Sequence, residues 1–240
     1  MRKATFTIAI IFLFGFYYSV NAQVIRGNGN VKTDVRNLSG FTEIIAQGNF
    51  NLILTQGDKE GVKIETDENV IELFQTRIDG KKLFITMVAD VRKSGALNIY
   101  LSIKELNSII LLNNISLKTE GVIHFDELSI FSGGMSQVEM ELFATKLNLQ
   151  LVDGTYAYLK GYAESFSAEI HDETELNAFD MQTDSCNVLS SGLTEVSIDV
   201  QKDLKLQVTG GSNLYYTGNS KVSQRIFSST GFIVKRKLKK

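Results

Sequence analysis

Asp153 and Asp172 are carboxylates whose spacing could do chemistry. They stand 19 residues apart in a 240-residue chain whose second half repeats every 18 to 20 residues. If the repeats stack as hydrogen-bonded strands, the two side chains come within about 5 Å of each other, the separation of the carboxylate pair in retaining glycosidases. The same oxygens, with backbone carbonyls, would also suit a calcium ion. Yet the equivalent positions in neighbouring repeats are Gly134, Gly192 and Gly210, and a looser upstream copy offers Asn113. Gly, Asn and Asp share a tolerance for left-handed backbone. The column therefore reads as a bend in the chain, and no catalytic residue is assigned.

Other reactive side chains give less. His124 and His171 lie 47 residues apart with no Cys or His at ligand spacing, so no zinc site is expected. No metal and no cofactor is assigned. The single cysteine, Cys186, excludes an intramolecular disulfide and falls in an apolar column, which makes it a core residue rather than a nucleophile. No Gly-x-Ser-x-Gly elbow or phosphate loop ending in lysine is present, and Gly27 to Asn30 reads as a turn. Three tyrosines remain. Tyr156 and Tyr158 alternate with inward Thr155, Ala157 and Leu159 and should share an outer face, with Tyr215 in the Tyr158 column three repeats later. These three are the candidate binding residues, since outward tyrosines stack on sugars or anchor protein contacts.

The elements that must carry these residues follow from period-two columns. Two, four and six places after each anchor stand Ser136, Val138, Met140; Thr155, Ala157, Leu159; Thr174, Leu176, Ala178; Thr194, Val196, Ile198; and Ser212, Leu214, Tyr216. Six, four and two places before it stand Leu128, Ile130, Ser132; Leu147, Leu149, Leu151; Phe166, Ala168, Ile170; Cys186, Val188, Ser190; and Leu204, Leu206, Val208. Alternation of this kind marks half-buried strands. A unit so short cannot bury its apolar side alone and must stack on its copies. The fold class is all-β, a β-solenoid or parallel β-helix-like stack of coils of about 19 residues. The hydroxyl column is expected to line up at one edge of the core and satisfy itself from coil to coil.

Residues 23–95 form a less regular β-rich half, with strand-like runs at 41–46, 50–55, 62–66 and 83–88 and a helix or strand at 67–76, and a further run at 97–103 follows the soft boundary near Val91 to Gly95. Residues 96–234 are the regular solenoid half and 235–240 a basic tail. Residues 1–22 read as a signal peptide, with Arg2 and Lys3 before an apolar run and Ala22 preceding the cut. The product is thus expected to be exported, to the periplasm, outer-membrane surface or extracellular space, with no integral membrane segment after cleavage. Formal net charge is −2, and −4 once Arg2 and Lys3 are lost, which excludes the basic signature of a nucleic-acid binder. Proline is absent, as hydrogen-bonded ladders require.

Gly27-Asn28-Gly29-Asn30-Val31, Gly40-Phe41 with Ile44, Gly48 to Leu54 with Gln56-Gly57, Asp79-Gly80 before Leu83 and Ile85, and Gly210-Gly211-Ser212 with Tyr216-Thr217-Gly218 resemble the auto-transporter adhesin, head GIN domain family of Gram-negative bacteria. Asp153-Gly154-Thr155 and Asp172-Glu173-Thr174 depart from its glycine-serine turns. The resemblance implies a secreted or envelope β-helical protein without catalytic residues. The expected role is a non-catalytic binding or adhesion-type module presenting a rigid surface to a glycan or protein of the cell envelope, with homo-oligomers open. The alternatives are a polysaccharide-active enzyme on the same scaffold and a self-assembling surface protein.

Overall fold

The computed structural model describes residues 24–237. The signal peptide expected at 1–22 and the last three residues of the basic tail lie outside the described residues. The first part of the chain comprises β1 (Val24–Arg26), β2 (Val31–Arg36), β3 (Glu43–Gln56), β4 (Gly61–Asp67), a 3-10 turn (Ile71–Leu73), β5 (Phe74–Asp79), β6 (Lys82–Met87), β7 (Asp90–Arg92) and β8 (Leu97–Ile103). The second comprises β9 (Ser108–Thr119), β10 (Ile123–Ser132), β11 (Gln137–Leu151), β12 (Tyr156–His171), β13 (Glu175–Ser191), β14 (Glu195–Gly210), β15 (Asn213–Thr217), β16 (Lys221–Ser229) and β17 (Ile233–Lys235). The segment 67–76, open between helix and strand from sequence, splits into the 3-10 turn and the start of β5.

From β9 onward every pairing is parallel and joins equivalent residues of successive coils. The columns fall in the register that the repeat predicts: Leu128, Leu147, Phe166, Cys186 and Leu204 pair in sequence, as do Val138, Ala157, Leu176, Val196 and Leu214. All ten side chains are buried. Burial pushes the Cys186 thiol well above its ordinary range, so it presents no thiolate. The stack is a β-solenoid.

The solenoid also reaches into the less regular half. β3 pairs with β9 over its length, setting Gly48 opposite Asn113, and its buried residues Ile44, Ala46, Phe50, Leu52 and Leu54 keep the spacing of the later coils. The sequence divides this strand at Gly48; the structure runs it through, with Gly48 at φ +140°. Beyond β3 the sheet changes character. β8 runs parallel to β3, then β4 and β2 add antiparallel, closing that end of the stack. The β5–β6 hairpin turns on Gly80 at φ +59°. Asp67, fully buried, holds this end together by accepting hydrogen bonds from the backbone N–H groups of Gly29 (3.1 Å) and Gly95 (3.2 Å). That contact explains the opening Gly27-to-Asn30 stretch: a Cβ on Gly27 would lie 1.8 Å from an Asp67 carboxylate oxygen.

One expectation is corrected. The column hydroxyls are buried, but they bond to the backbone rather than along the ladder. Ser136 donates to Asn113 O (2.7 Å), Thr155 to Val152 O (2.8 Å), Thr174 to Asp172 O (2.9 Å) and Ser212 to Thr209 O (2.8 Å). Stacked side chains start about 4.8 Å apart, beyond hydrogen-bond reach, while carbonyls of the adjoining turns are closer. Thr194 finds the Ser190 hydroxyl instead.

Space, more than backbone conformation, separates the glycines of the coils. A Cβ on Gly161 (φ +118°) would stand 2.0 Å from Leu142 O, whereas on Gly154 (φ +74°) the nearest atom is 3.7 Å away. Gly161→Ala should therefore cost more than about 2 kcal/mol and Gly154→Ala about 1 kcal/mol. Urea midpoints of the two variants check this ordering; equal losses would mean that φ alone governs both.

Candidate binding surface

The turn column behaves as a corner. Asn113, Gly134, Asp153, Asp172, Gly192 and Gly210 all have positive φ, between 52° and 88°. Its backbone is laddered from coil to coil: Met135 N–H donates to Asp153 O at 2.9 Å and Gly154 N–H to Asp172 O at 3.1 Å. Asp153 and Asp172 lie exposed at this bend. Among the described residues no group of three or more His, Cys, Asp or Glu is placed to hold a metal ion.

The three candidate tyrosines occupy the predicted register, but the structure does not gather them. Tyr158 shares its column with Asn177, Ser197 and Tyr215, so Tyr215 stands three coils away, about 14 Å. All three are half-buried. The Tyr158 hydroxyl donates to Asp180 at 2.5 Å, a bond that holds its phenol above the ordinary range, with burial adding to it. Tyr156 is raised first by burial and then by Glu175 and Glu139. Tyr215 is covered from two sides, by Phe232 edge-on at 5.3 Å and by the Arg236 guanidinium at 3.6 Å. Tyr156 and Tyr158 thus form one small face, and Tyr215 belongs to the far end of the stack.

A larger feature lies on another side of the coils. His124, Phe143 and Tyr162 project outward from β10, β11 and β12 and pair in direct register. The His124 and Phe143 rings stack at 5.4 Å with 20° between planes, and Phe143 is 43% exposed. This aromatic ladder lines an open groove of about 820 Å³. Glu105, Asp126, Glu127 and Glu164 border it, against Lys104. Gln56 pins its upper edge, accepting from His124 N–H at 2.9 Å and donating to His124 O at 3.0 Å. Lys146 holds the Glu127 carboxyl below its usual range, and burial, then Asp184, holds the Tyr162 phenol above its own.

Sequence reasoning missed this ladder because its columns stopped six places after each anchor. The chain has further inward positions beyond them, filled by Ile123, Leu142 and Met181 and by Phe125, Ala144, Ala163, Thr183 and Val200. The signal was available: His124, Phe143 and Tyr162 are spaced by 19 residues each.

A family model described as "putative auto-transporter adhesin, head GIN domain" matches residues 40–220. The chain belongs to this family. Crystal structures of several proteins share its fold. A "putative lipid binding protein" from Parabacteroides distasonis is 21% identical, covers 90% of this chain and 100% of its own, and superposes with a TM-score of 0.72. A "putative adhesin" from Bacteroides fragilis is 20% identical over 88% of this chain and 98% of its own, TM-score 0.73. Another "putative adhesin", from Parabacteroides merdae, is 20% identical over 90% and 100%, TM-score 0.66. No curated protein matches the chain. The head GIN family region thus includes the corner column, the aromatic groove and both tyrosines of the smaller face.

A raised phenol favours the folded state only while protonated. The contribution of Tyr158 is present below the unfolded value of about pH 10 and is lost as pH rises through the higher folded value. An ultraviolet titration should show late-ionising phenols, one fewer in Tyr158→Phe, with neutral-pH stability changed by no more than about 1 kcal/mol. Ionisation of the variant and parent along the same curve would show that the Asp180 bond does not form in solution.

Proposed function

We propose that the protein is a non-catalytic, adhesion-type module of the cell envelope that binds a glycan along the His124–Phe143–Tyr162 groove. The observation that carries this reading is the aromatic ladder: three aromatic residues in register on adjacent strands spaced about 5 Å apart, the first two with stacked rings, beside hydrogen-bonding carboxylates. Sugar rings offer C–H faces that pack on aromatic faces and hydroxyls that donate to carboxylates. A groove bordered by four carboxylates and one lysine disfavours an anionic polymer. The ligand is thus a neutral or amino-sugar chain lying along the stack. Tyr156 and Tyr158 provide a second, smaller contact face.

Membership of a family described as adhesin-like supports the same role, as do solved relatives named as adhesins. It also supports an extracellular or envelope location, reached by the leader read in residues 1–22. No helix among the described residues is long and apolar enough to cross a membrane. A polysaccharide-active enzyme needs an acid and a base or nucleophile across one bond, and Asp153 and Asp172 serve here as bend residues outside the groove.

A glycan array tests the reading, scoring binding and released oligosaccharides together. Neutral or amino-sugar glycans should be retained without products. Phe143→Ala with Tyr162→Ala should weaken retention at least about tenfold, and Tyr156→Ala with Tyr158→Ala less. Product release would sink the non-catalytic role, and retention indifferent to the Phe143 and Tyr162 changes would move the site off the groove.

A further inference from the structure

The charge of this chain is divided along the stack. Asp203 is the last acidic residue; the 37 positions after it hold eight Lys or Arg and no Asp or Glu. The preceding 203 residues carry all 27 acidic side chains and the remaining 17 basic ones (25 less 8). An overall charge of −2 therefore hides an acidic body of net −10 and an end that is wholly basic.

Among the described residues that end is also where the core is left uncovered. β16 pairs only with β14 and β17 only with β15, so both are edge strands. Their residues continue the inward columns: Val222 lies over Leu204, Arg225 over Leu206, Phe227 over Val208, Ile233 over Leu214 and Lys235 over Tyr216. Val208 and Leu214 are fully buried, while Phe227 in the next coil is 42% exposed. Phe232 and Val234 alternate with the inward Ile233 and Lys235, so they stand on the outer rim of the last turn beside Tyr215, 42% and 40% exposed. The face thus mixes apolar side chains with Arg225 and Lys235 at positions that in every earlier coil point into the core. Lys221, Arg236 and Lys237 stand exposed on the same last coil.

Two of these features disfavour a further coil from a second copy. Stacking would bury Arg225 and Lys235 against apolar columns without a counter-ion, at a cost of several kcal/mol each. Two such ends meeting face to face would bring only like charges together. A surface that accepts both groups must offer phosphates to the cations and hydrocarbon to the rings, as the interface of an anionic bilayer does.

We propose that the C-terminal end face of the solenoid docks on an anionic lipid membrane. Phe227, Phe232 and Val234 enter the headgroup boundary, and Lys221, Arg225, Lys235, Arg236 and Lys237 meet the lipid phosphates. Arg236 is already ordered over Tyr215 and Lys235 lies near the Tyr216 ring, at 3.6 and 5.9 Å, so less side-chain freedom is lost on contact. The acidic body is repelled from the same surface, which holds the stack upright with its groove turned sideways.

The absence of tryptophan makes the test direct. Among the described residues the buried hydrophobic core lies within 41–214, so protein starting at Gln23 keeps that core without the apolar leader. This protein is titrated with vesicles of phosphatidylcholine alone and with about one third phosphatidylglycerol. Binding should require the anionic lipid and fall steeply with salt. Lys221→Glu, Arg225→Glu and Lys237→Glu together should weaken it by on the order of 100-fold, with an unchanged circular dichroism spectrum as the check on folding. Phe232→Trp supplies a single reporter whose emission should shift to the blue only with anionic vesicles. Phe143→Ala should leave vesicle binding unchanged, which separates this end from the glycan groove. Equal binding to neutral vesicles, full affinity in the charge-reversed variant, no emission shift on binding, or a dimer in solution that buries this end would each overturn the proposal.

Discussion

Each coil of this solenoid has to bend once through left-handed backbone at the same place, and the remaining order depends on that bend. It fixes the length of a coil at about 19 residues, and the length of a coil fixes which side chains stack. The corner from Asn113 to Gly210 keeps positive φ throughout although its residues differ. Where the stacked backbones approach closely, only glycine fits: a Cβ on Gly134 would lie 2.8 Å from Asn113 Cα, and one on Gly210 2.8 Å from Gly192 N. Below the bend, buried hydroxyls tie one turn to its own carbonyls and to those of the turn beneath. The corner is thus a hydrogen-bonded column in its own right, and the apolar columns hang from it in register.

Much of this was legible because a repeat converts spacing directly into contact. Positive φ at Asp153 and Asp172, the burial of Cys186 and the shared column of Tyr158 and Tyr215 all follow from counting residues between equivalent positions. The same arithmetic failed where the repeat carries insertions. Lys160 pairs with Asp180, one place later than an even register would give, and Ala178 to Gln182 is displaced again against β14. Bulges of this kind move side chains between faces without leaving a mark in composition. The first coil was hidden for another reason: Phe50 and Ile115 stand where later coils have a hydroxyl, so the column that identifies the repeat is missing there.

The candidate surface shows the same division. Tyrosine attracts attention residue by residue, yet Tyr158 spends its hydroxyl on Asp180 and Tyr215 is covered by Phe232 and Arg236. The aromatic groove draws its rings from three residue types, His, Phe and Tyr, which read as unrelated until the coils are stacked. Pairs such as Glu139 with Lys118 and Lys160 with Glu141 likewise link adjacent coils and exist only in the stack. Each such exposed pair adds at most about 1 kcal/mol.

The parallel ladder has a mechanical side. Its hydrogen bonds run along the stack, and β2 and β17 form opposite ends of the strand order. Tension applied between those ends meets the bonds in series, loading one coil boundary at a time instead of shearing a whole sheet at once. The weakest boundary yields first, and its release pays out a coil's length of chain before the next is loaded. A molecule held at one end and pulled at the other would lengthen stepwise, spreading the work of detachment over its coils.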